Sequence, residues 1–489
     1  MSTLETGAAP ADPPRAPRSA WFALFVVTGG LFVAVVSTTV VSVALPTIGY
    51  ELHASAAGLQ WVVDAYVVVY AGLLVAGGAL GDRYGRKRLF LLGCALFGAG
   101  SLGAALAPVL PALLAGRVVQ GLGAALMVPG GLAIIRALFE HPRQRATAIG
   151  WWSTSSGLAL ATGPPLGGLL VAGLGWRWVF AVNVPLVLGL LLGGFRLLPA
   201  LPGRAEAGLD LAGVVLSAAG VAFPAVAVIE GQATGWWSSR TLGAFALGAV
   251  SLVAFVVIAR RRAEPLIDVS LFARRGFAVA NAAAFVVFFA FVGAVVYFST
   301  YFQQVRGYSA LGTGVCIAVI GVTYALTATW TGRLVGRSGE RLPLVAGLVL
   351  SGLATLVLLG LGPATGVATI LITFAVLGAG IGLCGTPITT LAMSAVGPAR
   401  AGQASAVVNA SRQIGQVFGV AVLGALVYAG LPGTSGTGRE LSPEQTALLL
   451  TGLHRALGVC AAVLLGLGLI VGLLFAREAT YEAAEPGKS

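Results

Sequence analysis

Apolar residues gather into fourteen runs, near 21–45, 58–80, 89–109, 110–135, 147–171, 178–198, 210–230, 241–259, 277–302, 310–332, 343–361, 364–391, 403–429 and 447–476. Short polar or charged turns separate them. Most are long enough for a helix of roughly 20 residues, the length that crosses a hydrocarbon layer. Glycine and proline recur inside the runs, which a membrane helix tolerates because its neighbours satisfy the freed backbone groups. The pattern predicts an all-α integral membrane protein with fourteen transmembrane helices. Its least sharply bounded places are the connection at Pro108–Pro111 and the run at 241–259.

A repeat organises these runs. Residues 78–88 read Gly-Ala-Leu-Gly-Asp-Arg-Tyr-Gly-Arg-Lys-Arg, and a decayed copy begins at Gly332. Gly78, Leu80, Arg83 and Gly85 recur 254 positions later as Gly332, Leu334, Arg337 and Gly339. A long repeat whose halves each carry a charged turn between membrane-length runs points to a two-bundle transporter. The expected organisation is a tail at 1–20, a six-helix bundle at 21–200, a linker with two extra spans at 201–265, a second six-helix bundle at 266–476 and a tail at 477–489.

Composition excludes the soluble alternative. The chain of 489 residues is 57% hydrophobic and 9% charged, too little polar surface to cover a water-soluble globule of this size. The net charge of +12 sits in short loops between the runs rather than on one continuous basic face, which argues against nucleic acid. With the N-terminus inside, 22 Lys and Arg fall in inner segments. Only Arg177, Arg240, Arg306 and Arg439 fall in outer loops, and Arg117, Arg412 and Arg455 lie within spans. That asymmetry places both termini in the cytoplasm and supports an even number of spans. The first twenty residues lack the basic-then-apolar pattern of a cleaved signal and read as a cytoplasmic tail. Cys94, Cys316, Cys384 and Cys460 all lie in apolar runs and read as packing residues; His53, His141 and His454 are scattered, so no metal site is expected. No phosphate-binding glycine loop with lysine occurs, so no ATP and no other cofactor is expected.

Ionisable residues inside spans are costly in lipid and mark function or internal pairing. Asp64 lies six residues past Gly58 and Arg117 seven past Leu110. Helix rise puts both roughly 10 Å below the outer face, so the two are predicted to interact, directly or through water. Gln120 lies one turn from Arg117 on the same face. Arg412, ten residues past Gly402, falls near mid-membrane, either to neutralise an anionic ligand or to hold its bundle together. Glu230, at the outer end of the seventh run, is a second proton-coupling candidate or a solvated helix end. Trp61, Tyr66, Phe288, Tyr297 and Tyr301 are aromatic candidates for a cavity or for ordinary packing. In the charged turn, Asp82 opposes the dipole of its own helix and should seek an arginine or another helix's N-terminus. Such a contact could lock an inner gate, or the turn could serve topology alone.

From about 21 to 476 the chain resembles the major facilitator superfamily, and within it the fourteen-span drug:proton antiporter family. The resemblance rests on the turn with Gly78, Asp82, Arg83, Gly85 and Arg86, and on Arg117-Val-Val-Gln120-Gly121. It rests also on Gly163-Pro164-Pro165-Leu166-Gly167-Gly168, on the stretch from Trp176 to Pro185, and on that from Asn409 to Gly415. It implies two six-helix bundles plus two extra central helices, a gating role for the charged turn, a proton-relay role for Arg117 and an antiporter hinge at Gly163, Pro164, Gly167 and Gly168. The first span departs from the family pattern: Ser37 stands for its acid and Ser42 for its asparagine, which makes a dication an unfavourable substrate.

The sequence therefore leads to a proton-coupled exporter of small amphipathic drugs or antibiotics in the cytoplasmic membrane, not an enzyme, acting as a monomer. Trp61, Gln120 and Arg412 are candidates for the cavity. An exporter of an endogenous metabolite is the alternative within the same class. A channel would lack saturable proton-coupled exchange, and a membrane enzyme would need a catalytic cluster at one face.

Overall fold

The computed structural model describes residues 17–201, 203, 210–262, 265, 267–396, 401–431 and 441–484. All regular structure among them is helical. Fourteen helices are long and apolar enough to cross a membrane. They are α1 Arg18–Glu51, α2 Ala56–Gly81, α3 Arg86–Ala105, α4 Leu110–Leu138, α5 Gly150–Leu174, α6 Trp178–Leu197 and α7 Leu211–Gly231. The chain continues with α8 Ser239–Arg261, α9 Arg275–Val305, α10 Ala310–Ser338, α11 Arg341–Gly360, α12 Val367–Ser394, α13 Val407–Val427 and α14 Pro443–Phe475. Successive helices run in opposite directions, so the molecule has an arginine-rich face, where α2 ends, and an arginine-poor face, where α1 ends.

The internal repeat extends to the start of helices. Ser55 Oγ accepts from Gly58 N at 3.1 Å to cap α2, and Ser309 Oγ accepts from Gly312 N at 3.1 Å to cap α10. Both cap residues are again separated by 254 positions. Each hydroxyl satisfies one of the amides that a helix start leaves without a partner.

Packing follows the same symmetry. In the first bundle α1 packs on α5, α2 on α4, and α3 on α4 and α6; in the second, α9 packs on α13, α10 on α12, and α11 on α12 and α14. Two main seams join the bundles, α5 against α10 and α2 against α13, and α1 also meets α9, where Gln303 Nε2 donates to Val43 O at 3.2 Å. Helix α7 lies against both α2 and α13, and α8 leans on α7. The ends of that hairpin are tied by Arg262 Nη1, 3.0 Å from Asp210 Oδ1, which also accepts from Gly213 N at 2.9 Å.

Several helices depart from ideal rods. Within α4 the helix Leu110–Met127 gives way to Gly130–Leu138 after Pro129. Proline at that step removes one amide donor and bends the path. By contrast, Pro164 and Pro165 lie inside an unbroken helix, Pro142–Leu174.

Candidate functional site

The first bundle holds a buried polar core centred on Arg117. Its Nε donates to Val62 O at 2.8 Å, and its Nη1 donates to Gln120 Oε1 at 3.0 Å and Ser37 O at 3.4 Å. Gln120 Nε2 donates to Ser101 Oγ at 2.7 Å, which in turn donates to Phe97 O at 2.8 Å. The guanidinium also lies over Tyr66, 4.5 Å from the ring centroid, and Tyr66 Oη donates to Ala34 O at 2.8 Å. Asn183 Nδ2 reaches Ser37 Oγ at 3.2 Å. Five helices of one bundle thus share a single network, in which the arginine's charge is spread over carbonyl dipoles and an aromatic face.

Asp64 is fully buried, and neither of its carboxyl oxygens has a hydrogen-bond partner among the described residues. Its depth matches that of Arg117, yet the two make no direct hydrogen bond. The reason is rotation about the helix axis. At about 100° per residue, Asp64 stands roughly 200° from both Val62 and Tyr66, the residues through which α2 meets Arg117. Asp64 instead shares its face with Gln60, one turn away, which packs at Gly424 of α13 beside the Tyr297 hydroxyl. A Cβ at Gly424 would collide with both groups. Tyr297 Oη donates to Val420 O at 2.7 Å. Asp64 therefore lies on the α2–α13 seam, with Arg117 behind it.

The rim of that seam joins two further predicted residues. Trp61 Nε1 donates to Glu230 Oε1 at 3.3 Å, linking α2 to α7 across 169 positions. Beside them Val228 and Ile229 of α7 pack on Ala421 and Ala425 of α13.

The other seam has a different composition. Gly163 and Gly167 of α5 leave no room for a Cβ against Thr39 and Val40 of α1. Gly168 meets Ala310 and Leu311 of α10, while Gly314 and Gly321 of α10 meet Pro164 and Ala161 of α5. The predicted hinge sequence thus lies where α1, α5 and α10 approach backbone to backbone, as small residues permit in membranes.

Within the charged turn, Gly85 has φ 97° and accommodates the reversal from α2 to α3. The Arg83 guanidinium lies 5.5 Å from the Tyr84 ring centroid. The side chain of Asp82 lies outside the described residues, and with it the predicted charge lock. Sequence reasoning missed Lys87, whose Nζ donates to Phe195 O at 2.9 Å and Leu198 O at 2.7 Å. A cation on the last carbonyls of α6 completes that helix end and suits its dipole.

Arg412 points into the second bundle: Nη2 donates to Thr389 Oγ1 at 3.0 Å and Gly385 O at 3.3 Å, and the group lies over Phe288 at 5.5 Å. It does not meet Arg117, Gln120 or Trp61. A cleft of about 500 Å³ opens on the arginine-rich face among Arg274, Arg275, Glu340, Arg341 and Phe475, away from both seams.

Known proteins share this plan. Residues 27–420 match the family model described as Major Facilitator Superfamily. The chain belongs to the Major Facilitator Superfamily. It is 39% identical over 406 residues to the multidrug resistance protein Stp of Mycobacterium tuberculosis, covering 83% of this chain and 75% of that one. It is 32% identical over 462 residues to the methylenomycin A resistance protein of Streptomyces coelicolor, covering 93% and 96%. Identity is also 32%, over 433 residues, to the tetracenomycin C resistance and export protein of Streptomyces glaucescens, covering 87% and 80%. Among solved structures, a peptide transporter POT in complex with sulfate superposes with a TM-score of 0.69 at 17% identity, covering 94% and 95% of the two chains. At that identity the likeness speaks for the superfamily fold. The relatives make this chain a membrane transporter of the superfamily.

Proposed function

We propose that this chain is a proton-coupled efflux antiporter that exports small amphipathic drugs or antibiotics across the cytoplasmic membrane. In this reading both termini are cytoplasmic, one chain suffices, and the bundles at 21–200 and 266–476 rock about the seams. Asp64 is the observation that carries it: an acid buried without a partner where the two bundles meet. A carboxylate closed off from water and left without a hydrogen bond is costly even with a guanidinium behind it, whereas a protonated carboxyl is neutral. Proton uptake by Asp64 and closure of the α2–α13 seam are therefore linked, as proton-driven exchange requires.

Each remaining group has a place in that cycle. Arg117 holds α2 by the Val62 carbonyl and sets the field behind Asp64. Glu230 and Trp61 stand at the arginine-poor rim, on the side from which protons enter. Gly163, Pro164, Gly167 and Gly168 let α5 pivot against α1 and α10. The turn with Gly78, Asp82, Arg83, Gly85 and Arg86 gates the arginine-rich side. Relatives named for drug and antibiotic resistance support the cargo class.

The test is export from proteoliposomes under an imposed pH gradient. Asp64→Asn, inserted at wild-type level, is expected to lose the gradient-driven component; full retention of coupling would reject the role of Asp64. A second reading, dedicated export of one self-made antibiotic, is favoured by the two Streptomyces relatives named for single compounds. Resistance to one compound within a broad panel would support it.

A further inference from the structure

The buried polar atoms left without partners are unevenly distributed. Thirteen such side-chain atoms occur among the described residues, and seven lie on α2 and α13: one is Arg412 Nε, and the other six belong to four residues, Gln60 and Asp64 with two each, Gln413 and Gln416 with one each. Gln60 and Gln416 are 3% and 5% exposed. Orphaned buried amides are rare because each forgoes the hydrogen bonds it had in water.

Helix geometry brings the four together. Gln60 crosses α13 at Gly424. The two helices run antiparallel, so one turn along α2 from that crossing is Asp64. Eight residues back along α13 is Gln416, about 12 Å away by helix rise. Gln413, eleven residues back, stands within about 20° of the Gly424 direction, and Gln416 about 80° from it. The orphans thus form a stripe along one seam rather than scattered packing faults.

We infer that this stripe is a substrate subsite for an uncharged ligand rich in hydroxyl, amide or carbonyl groups. The inference rests on the efflux reading above and names its cargo chemistry. Carboxamides both donate and accept, so they suit such groups without requiring charge. Among the described residues, the charges that face the interior of the two bundles argue the same way: one carboxyl, Asp64, against two guanidinium groups, Arg117 and Arg412, whose own partners are mostly carbonyls and hydroxyls, while Arg455 is exposed. A cation entering there gains no net attraction, and once Asp64 carries a proton it is repelled. An opening seam offers the amides a ligand; a closed seam leaves them short of hydrogen bonds, the Gln413 and Gln416 oxygens among them, which favours the loaded protein over the empty one.

Proteoliposomes carrying the full chain are to be given chloramphenicol, thiamphenicol and linezolid as uncharged probes, and tetraphenylphosphonium and ethidium as permanent cations. The expected result is pH-driven export of at least one uncharged probe and of neither cation. The double variant Gln60→Leu with Gln416→Leu should reduce that export by roughly 10-fold or more and leave thermal stability unchanged or raised. Export confined to cations overturns the inference while leaving the efflux reading intact. So does a double variant that exports the uncharged probe as well as wild type, or one that loses stability, which would make the amides structural. Export of none of the five by the wild-type chain brings down the efflux reading itself, and the subsite with it.

Discussion

Two main seams join the same two bundles and are built oppositely. Along α5–α10, glycines at 168, 314 and 321 bring backbones into contact and leave no room for a methyl group. Along α2–α13, Gln60, Asp64, Gln413 and Gln416 hold polar atoms without partners. Small-residue contacts are close and dry and tolerate little rearrangement. Unpartnered polar contacts gain from water, proton or ligand, and so have reason to part. In the proposed cycle, the difference would make one seam the pivot and the other the seat of the chemistry.

Removing the acid is the strongest way to break that assignment. Asp64→Asn should abolish uncoupler-sensitive export, while Asp64→Glu should retain part of it; flux with and without an uncoupler reads this. Gly321→Ala comes next. Its added methyl meets the α5 backbone at Ala161, and overpacking of this kind costs about 1–3 kcal/mol. Thermal unfolding in detergent should fall, whereas a glycine seam of no consequence would leave it unmoved. Gly424→Ala should do the reverse at the other seam, wedging Gln60 and Tyr297 apart and favouring opening at the arginine-poor face. A cysteine reporter at Ser299, buried in the closed arrangement, should then react roughly 10-fold faster with a membrane-impermeant thiol reagent. The four native cysteines are buried and leave a low background. Equal rates in both proteins would detach Gly424 from gating. Smallest is Glu230→Gln, which keeps an acceptor for Trp61 and so should change export by only about two- to threefold. A loss as deep as that of Asp64→Asn would move the proton-carrying role to α7.

Fourteen spans were legible because hydropathy along a membrane chain reports length and spacing directly. The depths of Asp64 and Arg117 were legible from helix rise. Rotation was not. The 100° step already put Asp64 and Tyr66 on nearly opposite faces of α2, but helices apolar on every side carry a weak directional signal, so nothing in the sequence said which face would turn to α4 and which to α13. The bond between Gln120 and Arg117 was readable from local spacing. Partners distant in sequence were not, as with Trp61 and Glu230, or Lys87 and the end of α6. A sequence signal for the caps did exist: Ser55 and Ser309 keep the 254-residue offset already visible in the charged turns.

The seat of α7 bears on what lipid can touch. By lying against both α2 and α13, with Val228 and Ile229 over Ala421 and Ala425, it covers the end of the seam where Trp61 meets Glu230. Hydrocarbon offers such groups no hydrogen bond at all. On the efflux reading, the additional hairpin would insulate this flank of the pathway, and a carrier stripped of it would open the Trp61 end of the seam to hydrocarbon.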